Sequence, residues 1–176
     1  MNLDRPYPPN PYDYLPQVAS FTLTSQNFCD GKQLPALHAN DGGDLSPQLS
    51  WSGFPRNTKS FVVTCYDPDA PTPAGYWHWI AVNIPASVTD LAQAAGCSDE
   101  ALPAGAFHIA NDNSLRRYSG PLPPAGDHAH RYFFVVHALD VERLDIDPQT
   151  TNATQVSFTT GMHTLGRALI VGTYQR

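Results

Sequence analysis

The stretches WHWIAVNI, Trp77 to Ile84, and RYFFVVHAL, Arg131 to Leu139, are short apolar runs rich in aromatic and β-branched residues, the composition of strands inside a sheet. Similar runs occupy residues 21–24, 49–52, 60–66, 107–109 and 168–174. Between them lie clusters of Gly, Asp and Pro at 30–31, 41–43, 52–55 and 120–126, which supply the dihedrals that turns need. This order predicts a mainly β chain folded as an antiparallel β-sandwich. Two stretches read as helical. One is 88–95; the other is 151–166, entered past Asp147 and Pro148 and weakened inside by Gly161.

Working outward, the 176 residues suit one domain with a real core. Prolines number 17 and charged residues make up 15%, which favours turns and extended segments over long charged helices. With ten Lys and Arg and a formal charge of −6, the chain has no general nucleic-acid surface to offer, because backbone affinity needs clustered cations. Any anion must be held locally. Three irregularly spaced cysteines, Cys29, Cys65 and Cys97, form no CxxC pair and indicate neither a disulfide framework nor a zinc site. No membrane span or secretory leader is legible, so the expectation is a soluble cytoplasmic protein. Residues 1–17, dense in Pro and Tyr, read as an extended arm beside a single domain at 18–176, either a partly ordered tail or, as the alternative, a segment whose Tyr7, Tyr12 or Tyr14 packs on the body or on a second subunit.

The chemistry sits where strands end. Asp67 follows an apolar strand, and Pro68 and Pro71 then restrict the backbone that presents it. Strict alternation places His78 with Ile80, Val82 and Ile84, and places His130 and Tyr132 side by side with Phe134, Val136 and Ala138. An aspartate near two histidines favours imidazolium, while Tyr132 offers a neutral donor, so the set could hold a small oxyanion despite the negative total. The loop at 120–126 adds Gly120, whose N–H can approach a ligand, between Pro121 and Pro124, which lower the entropy lost on ordering.

Other readings stand beside this one. Any single histidine of the set can be a hydrogen-bonded strand-end residue. His128 and His130 could join His78 or Asp67 in a two-His-plus-carboxylate metal site. Cys65 shares a face with Asp67 but lies in an apolar strand, where thiols are usually inert. Arg116 and Arg117 could gather phosphate or form a solvated pair. No GxSxG elbow or P-loop occurs.

The segments DGKQLP, GGDLSPQLSWSGFP, YDPDAP, YWHWIAVNIP, YSGPLPPAGDHAHRYFFVVHALD and GTYQR, in this order, resemble the phosphatidylethanolamine-binding proteins, in particular their bacterial Raf-kinase-inhibitor-like branch. The resemblance covers residues 21–176 and implies a β-sandwich with small peripheral helices. It also implies a pocket for phosphate or phosphoethanolamine-like anions on Asp67, His78, His130 and Tyr132, with Gly120, Pro121 and Pro124 at the rim and Asp69 and Pro71 as wall. Ser119, Leu122 and His128 depart from the family pattern and bear on the rim's shape. The implied function is non-enzymatic binding, with no cofactor, catalytic residue or metal, a kinase or protease as a protein partner, and a homodimer as a further expectation. A hydrolase or metal-dependent enzyme using the Asp/His cluster is the alternative.

Overall fold

Four long strands form the centre of one sheet in the computed structural model, which describes residues 4–176. They are β5 (Ser60–Asp67), β6 (Tyr76–Pro85), β9 (His130–Leu139) and β10 (Thr164–Tyr174), in the spatial order β10-β9-β5-β6 with every pairing antiparallel. The short β8 (Phe107–His108) extends the sheet beyond β6. On the far side β1 (Ala19–Ser20) and β3 (Lys32–Gln33) both pair with β10, in parallel, an exception to the antiparallel rule. A second sheet has the order β2-β4-β7, from β2 (Thr22–Thr24), β4 (Leu49–Ser52) and β7 (Asp90–Leu91).

The core lies between the sheets. Leu23, Leu49, Trp51 and Leu91 of the small sheet meet Phe61, Trp79, Phe134 and Val136 of the large one, with the Trp51 ring edge-on to Phe61 at 5.3 Å. Each fully buried side chain of this size contributes about 1.5–3 kcal/mol of transfer free energy. The other face of the large sheet carries Val62, Ile80 and Val82, covered by Leu144 and by Ala153 and Val156 of the helix α1 (Ala153–His163). A reciprocal capping box between Asn152 and Gln155 starts α1 and satisfies two of its orphan amides.

The helix expected over 151–166 is shorter than its sequence pattern, because Thr164 turns extended and begins β10. The helix expected over 88–95 does not form. Asp90 and Leu91 instead pair with Ser50 and Leu49 of β4, and Ala94 takes a left-handed φ of 68° before a 3-10 turn. Eight residues make too short a helix to repay nucleation, whereas extended pairing buries Leu91 in the core.

Two irregularities in β6 re-aim its side chains. Cys65 pairs with Trp79 and Tyr66 with Trp77, so His78 is an extra residue in the ladder, a bulge that turns it towards Tyr132. Further on, Phe61 pairs with Ile84 and Val63 with Ala81, and Asn83 takes a φ of 59° to absorb the extra residue. The expected grouping of His78 with Ile80, Val82 and Ile84 therefore fails at both ends. Ile84 joins Trp79 and Ala81 in the core between the sheets, Ile80 and Val82 lie on the opposite face, and His78 meets the ring of Tyr132.

The described part of the arm crosses the helix-bearing face. Asn10 caps a 3-10 turn, Pro11–Tyr14, which lowers Tyr12 onto Phe133 and His137. Residues 1–3 of the expected arm lie outside the described residues.

Candidate functional site

Because β5 ends where β6 and β9 begin, Asp67, His78, His130 and Tyr132 meet at one end of the sheet although 65 positions separate the first from the last. They line a cleft of about 410 Å³ together with Pro71, Gly120 and Pro124. Tyr76, Asn40, Thr72, Asn113 and Leu122 complete much of its wall. That volume falls within the range of small-molecule sites. Two residues expected at the site lie elsewhere. The Pro121 carbonyl accepts from the Asn40 amide at 3.0 Å. Asp69 turns from the cleft to Arg131, accepting from its backbone N–H and Nε at 2.8 Å and from Nη2 at 2.7 Å.

Asp67 is fixed by the turn that its prolines shape. Its Oδ1 accepts from the amides of Asp69 and Ala70, at 2.8 and 3.1 Å, and its Oδ2 lies 2.7 Å from His130 Nδ1. The other ring nitrogen, His130 Nε2, is 3.0 Å from Asp127 Oδ2. Carboxylate oxygens on both sides require a proton on both nitrogens, so His130 is an imidazolium held between two aspartates. Burial opposes that charge, but Asp67 and Asp127 outweigh it and hold the pKa above the usual histidine value. Asp127 in turn receives Arg5 Nη1 at 2.7 and 2.8 Å, while Arg5 Nη2 reaches the Asp69 carbonyl. The Arg5 guanidinium, despite the cost of burial, is the main reason the Asp127 carboxyl titrates well below its ordinary range.

His78 is different. Its Nδ1 is 2.7 Å from the Ser119 carbonyl, which can only accept, so the proton sits on Nδ1. Nε2, 4.0 Å from Asp67 Oδ2, carries the ring's lone pair. Burial holds the His78 pKa below its ordinary value, with Asp67 pulling the other way. Tyr132 stands against both histidine rings, at 5.1 Å from His78 and 6.5 Å from His130. Burial and the neighbouring Asp67 push its phenol far up, so it is a neutral hydroxyl.

The rim is built by groups that sequence reasoning passed over. The Asn111 NH₂ lies 3.1, 2.9 and 2.9 Å from the carbonyls of His78 and Arg117 and from Ser119 Oγ, and its two protons, shared among these three acceptors, tie the 111–119 loop to β6. The Gly120 amide, expected to meet a ligand, donates instead to Asp44 Oδ1 at 2.6 Å. Glycine is needed there because a Cβ would collide with the His38 carbonyl oxygen and come within 2.7 Å of the Ala39 carbonyl carbon. Gly120→Ala is accordingly expected to cost about 1–3 kcal/mol of stability. Chemical denaturation measures this, and an unchanged midpoint would show that the loop shifts freely.

Arg116 and Arg117 do not face the cleft; they pair with Asp99 and Asp44, at 2.7 and 2.6 Å. Cys65 is buried in apolar surroundings that push its thiol well up, away from nucleophile chemistry. Asp127, His128 and His130 place ligand atoms within 4.8 Å of one another, a spacing a metal ion could use. A cation there would have to displace Arg5 from Asp127. Arg5 had no local signal, being 122 positions from Asp127. Asp127 was within reach, three residues before His130, but the H-x-H pattern directed attention to the imidazoles.

The fold is thus a two-sheet sandwich with a cleft at one strand end that gathers an aspartate, two histidines and a tyrosine. The profile of the family described as phosphatidylethanolamine-binding protein matches residues 24–175, and the chain belongs to that family. Over 157 residues it is 44% identical to the UPF0098 protein YbhB of Escherichia coli K12, spanning 86% of this chain and 98% of that one. The crystal structure of Escherichia coli YbcL superposes with a TM-score of 0.86 at 41% identity, covering 90% of this chain and 99% of that one. A Mycobacterium tuberculosis relative that bears the name "Putative lipoprotein LppC" is 32% identical over 161 residues and covers 91% of this chain and 75% of its own. No helix among the described residues is long and apolar enough to cross a membrane.

Proposed function

We propose that the cleft binds the phosphate of a small phosphorylated molecule of the phosphoethanolamine kind and that the protein acts by binding rather than by turnover. The observation that carries this reading is the meeting of His78 Nε2, the Tyr132 hydroxyl and Asp67 in one cleft with room for such a group. Tyr132 can donate to a phosphate oxygen. His78 Nε2 takes part once a proton lies between it and the ligand, brought by the phosphate or taken up by the ring. Asp67 provides an acceptor for a ligand ammonium. A phosphorylated residue on a protein partner such as a kinase or a protease presents the same chemistry.

Binding without turnover is supported by the state of the candidate acid–base groups. Both nitrogens of His130 are held by carboxylates, and the one thiol near Asp67 is buried and neutral. Cys29 is an exposed free thiol, which suits a reducing compartment and hence the cytoplasm.

Calorimetric titration with phosphoethanolamine, inorganic phosphate and ethanolamine tests the reading. Saturable binding of the first two is expected, with His78→Ala weakening it by about tenfold or more, the loss of one charge-assisted hydrogen bond. Affinity is expected to fall as pH rises across roughly 6 to 8, because the shared proton is lost. Ethanolamine binding as tightly as phosphoethanolamine would sink the phosphate reading, as would affinity that ignores both His78 and pH.

A further inference from the structure

A second cavity lies on the opposite face of the large sheet, closed in by α1 and by the arm, with a volume of about 70 Å³. Its polar lining is unusual. Arg167 Nε is buried there without a hydrogen-bond partner among the described residues, and so is Oγ1 of Thr160, a residue only 2% exposed. Arg5, Arg116, Arg117 and Arg131 each hold a carboxylate. Among the described residues no carboxylate faces Arg167; its guanidinium lies over the Tyr12 ring at 5.6 Å. Directly across the ladder is His137, itself buried and lining the same cavity. Burial and the neighbouring Arg167 push His137 down to about 3. An arginine and a histidine thus face each other across a pair of strands, with no anionic group of the described residues between them. Buried charge is ordinarily paired, and buried polar atoms without partners call for a ligand or water.

We propose that this cavity binds a small carboxylate. Its oxygens would accept from Arg167 Nε and from the Thr160 hydroxyl, and its short apolar remainder would rest on Ile80 and Val156. A water needs roughly 10–15 Å³ of cavity, so the space suits an anion of a few heavy atoms and excludes a nucleotide or a lipid head group. Tyr12 and Pro16 of the arm form part of the wall. This site is separate from the phosphate cleft, and neither reading depends on the other.

The test is a nuclear magnetic resonance titration with acetate and, in parallel, acetamide, its neutral isostere, watching the Arg167 Nε–H and the Ile80 methyl signals. Expected are saturable shifts with acetate, roughly tenfold or more weaker binding of acetamide, and a melting temperature that rises with acetate concentration. Arg167→Gln should abolish the acetate response. Thr160→Val, which keeps the side-chain volume, should weaken it and carries the test if the arginine variant does not fold. Signals of His78 and Tyr132 should not move with the same affinity. Shifts that grow linearly without saturating, or equal binding of acetamide, would overturn the proposal and leave a hydrated cavity.

Discussion

Asp67→Ala is expected to lower the unfolding free energy by about 3–5 kcal/mol, the usual cost of removing one partner from a buried ion pair. The carboxylate does two jobs at once. One oxygen closes the turn after β5 by accepting the amides of Asp69 and Ala70, and the other faces the imidazolium of His130. Alanine leaves a charged ring with Asp127 on one side only and two turn amides without an acceptor. Asp67→Asn separates the two roles, since its amide oxygen can still close the turn but its NH₂ cannot accept from His130. The asparagine variant should therefore lose less stability than alanine while the His130 pKa falls back towards the usual histidine range. Urea unfolding and nuclear magnetic resonance titration of His130 measure the two effects. A loss below about 1 kcal/mol for alanine would mean that water replaces the carboxylate and that the network does not hold the site together.

The second large effect is acid lability above the range where carboxylates titrate. His137 is buried, with its pKa down at about 3. The unfolded chain takes up its proton near pH 6.5, so the neutral ring's contribution to stability is complete above that pH and is lost progressively as pH falls towards 3. At pH 4 the loss from His137 is about 3 kcal/mol. His78 and His108, whose pKa values burial also lowers, act with the same sign. His130 runs the other way. Its raised pKa adds stability that is complete below about pH 6.5 and is lost as pH rises through the folded value, so it does not contribute to the acid limb. Asp127, with its lowered pKa, contributes stability that is lost only as pH falls below about 4. Urea midpoints at pH 7, 5.5 and 4 should decline in the parent protein and decline less in His137→Leu. Flat midpoints over that window would show that His137 gains its proton at no cost.

Much of the site was legible in the sequence because its residues sit at strand ends that composition marks clearly. Asp67 before two prolines and the HRY segment before FFVVHAL announce themselves, and antiparallel pairing then brings the ends together. Alternation failed at His78 because it assumes an unbroken ladder. The bulge opposite Cys65 and Tyr66 leaves no local signal among the aromatic residues of YWHWIAVNIP, yet it decides which side of the sheet the imidazole faces. Likewise 88–95 has a helical composition, but burial of Leu91 against the second sheet wins over weak local propensity.

By itself, the sequence determined the long strands, the family resemblance and the set of polar residues that could meet at a strand end. These follow from periodicity, proline placement and short motifs, all local properties of the chain. The division into two sheets and the short strands β1, β3 and β7 came only with the fold. Only the tertiary structure decided the charge state of the site. His130 is an imidazolium because Asp67 and Asp127 flank it, and Asp127 is held in turn by an arginine from the arm. Tertiary structure alone also set Arg167 beside His137, with no carboxylate facing them among the described residues. The electrostatics of a buried group depends on what packs within a few ångströms of it, and that neighbourhood is assembled from parts of the chain more than a hundred residues apart.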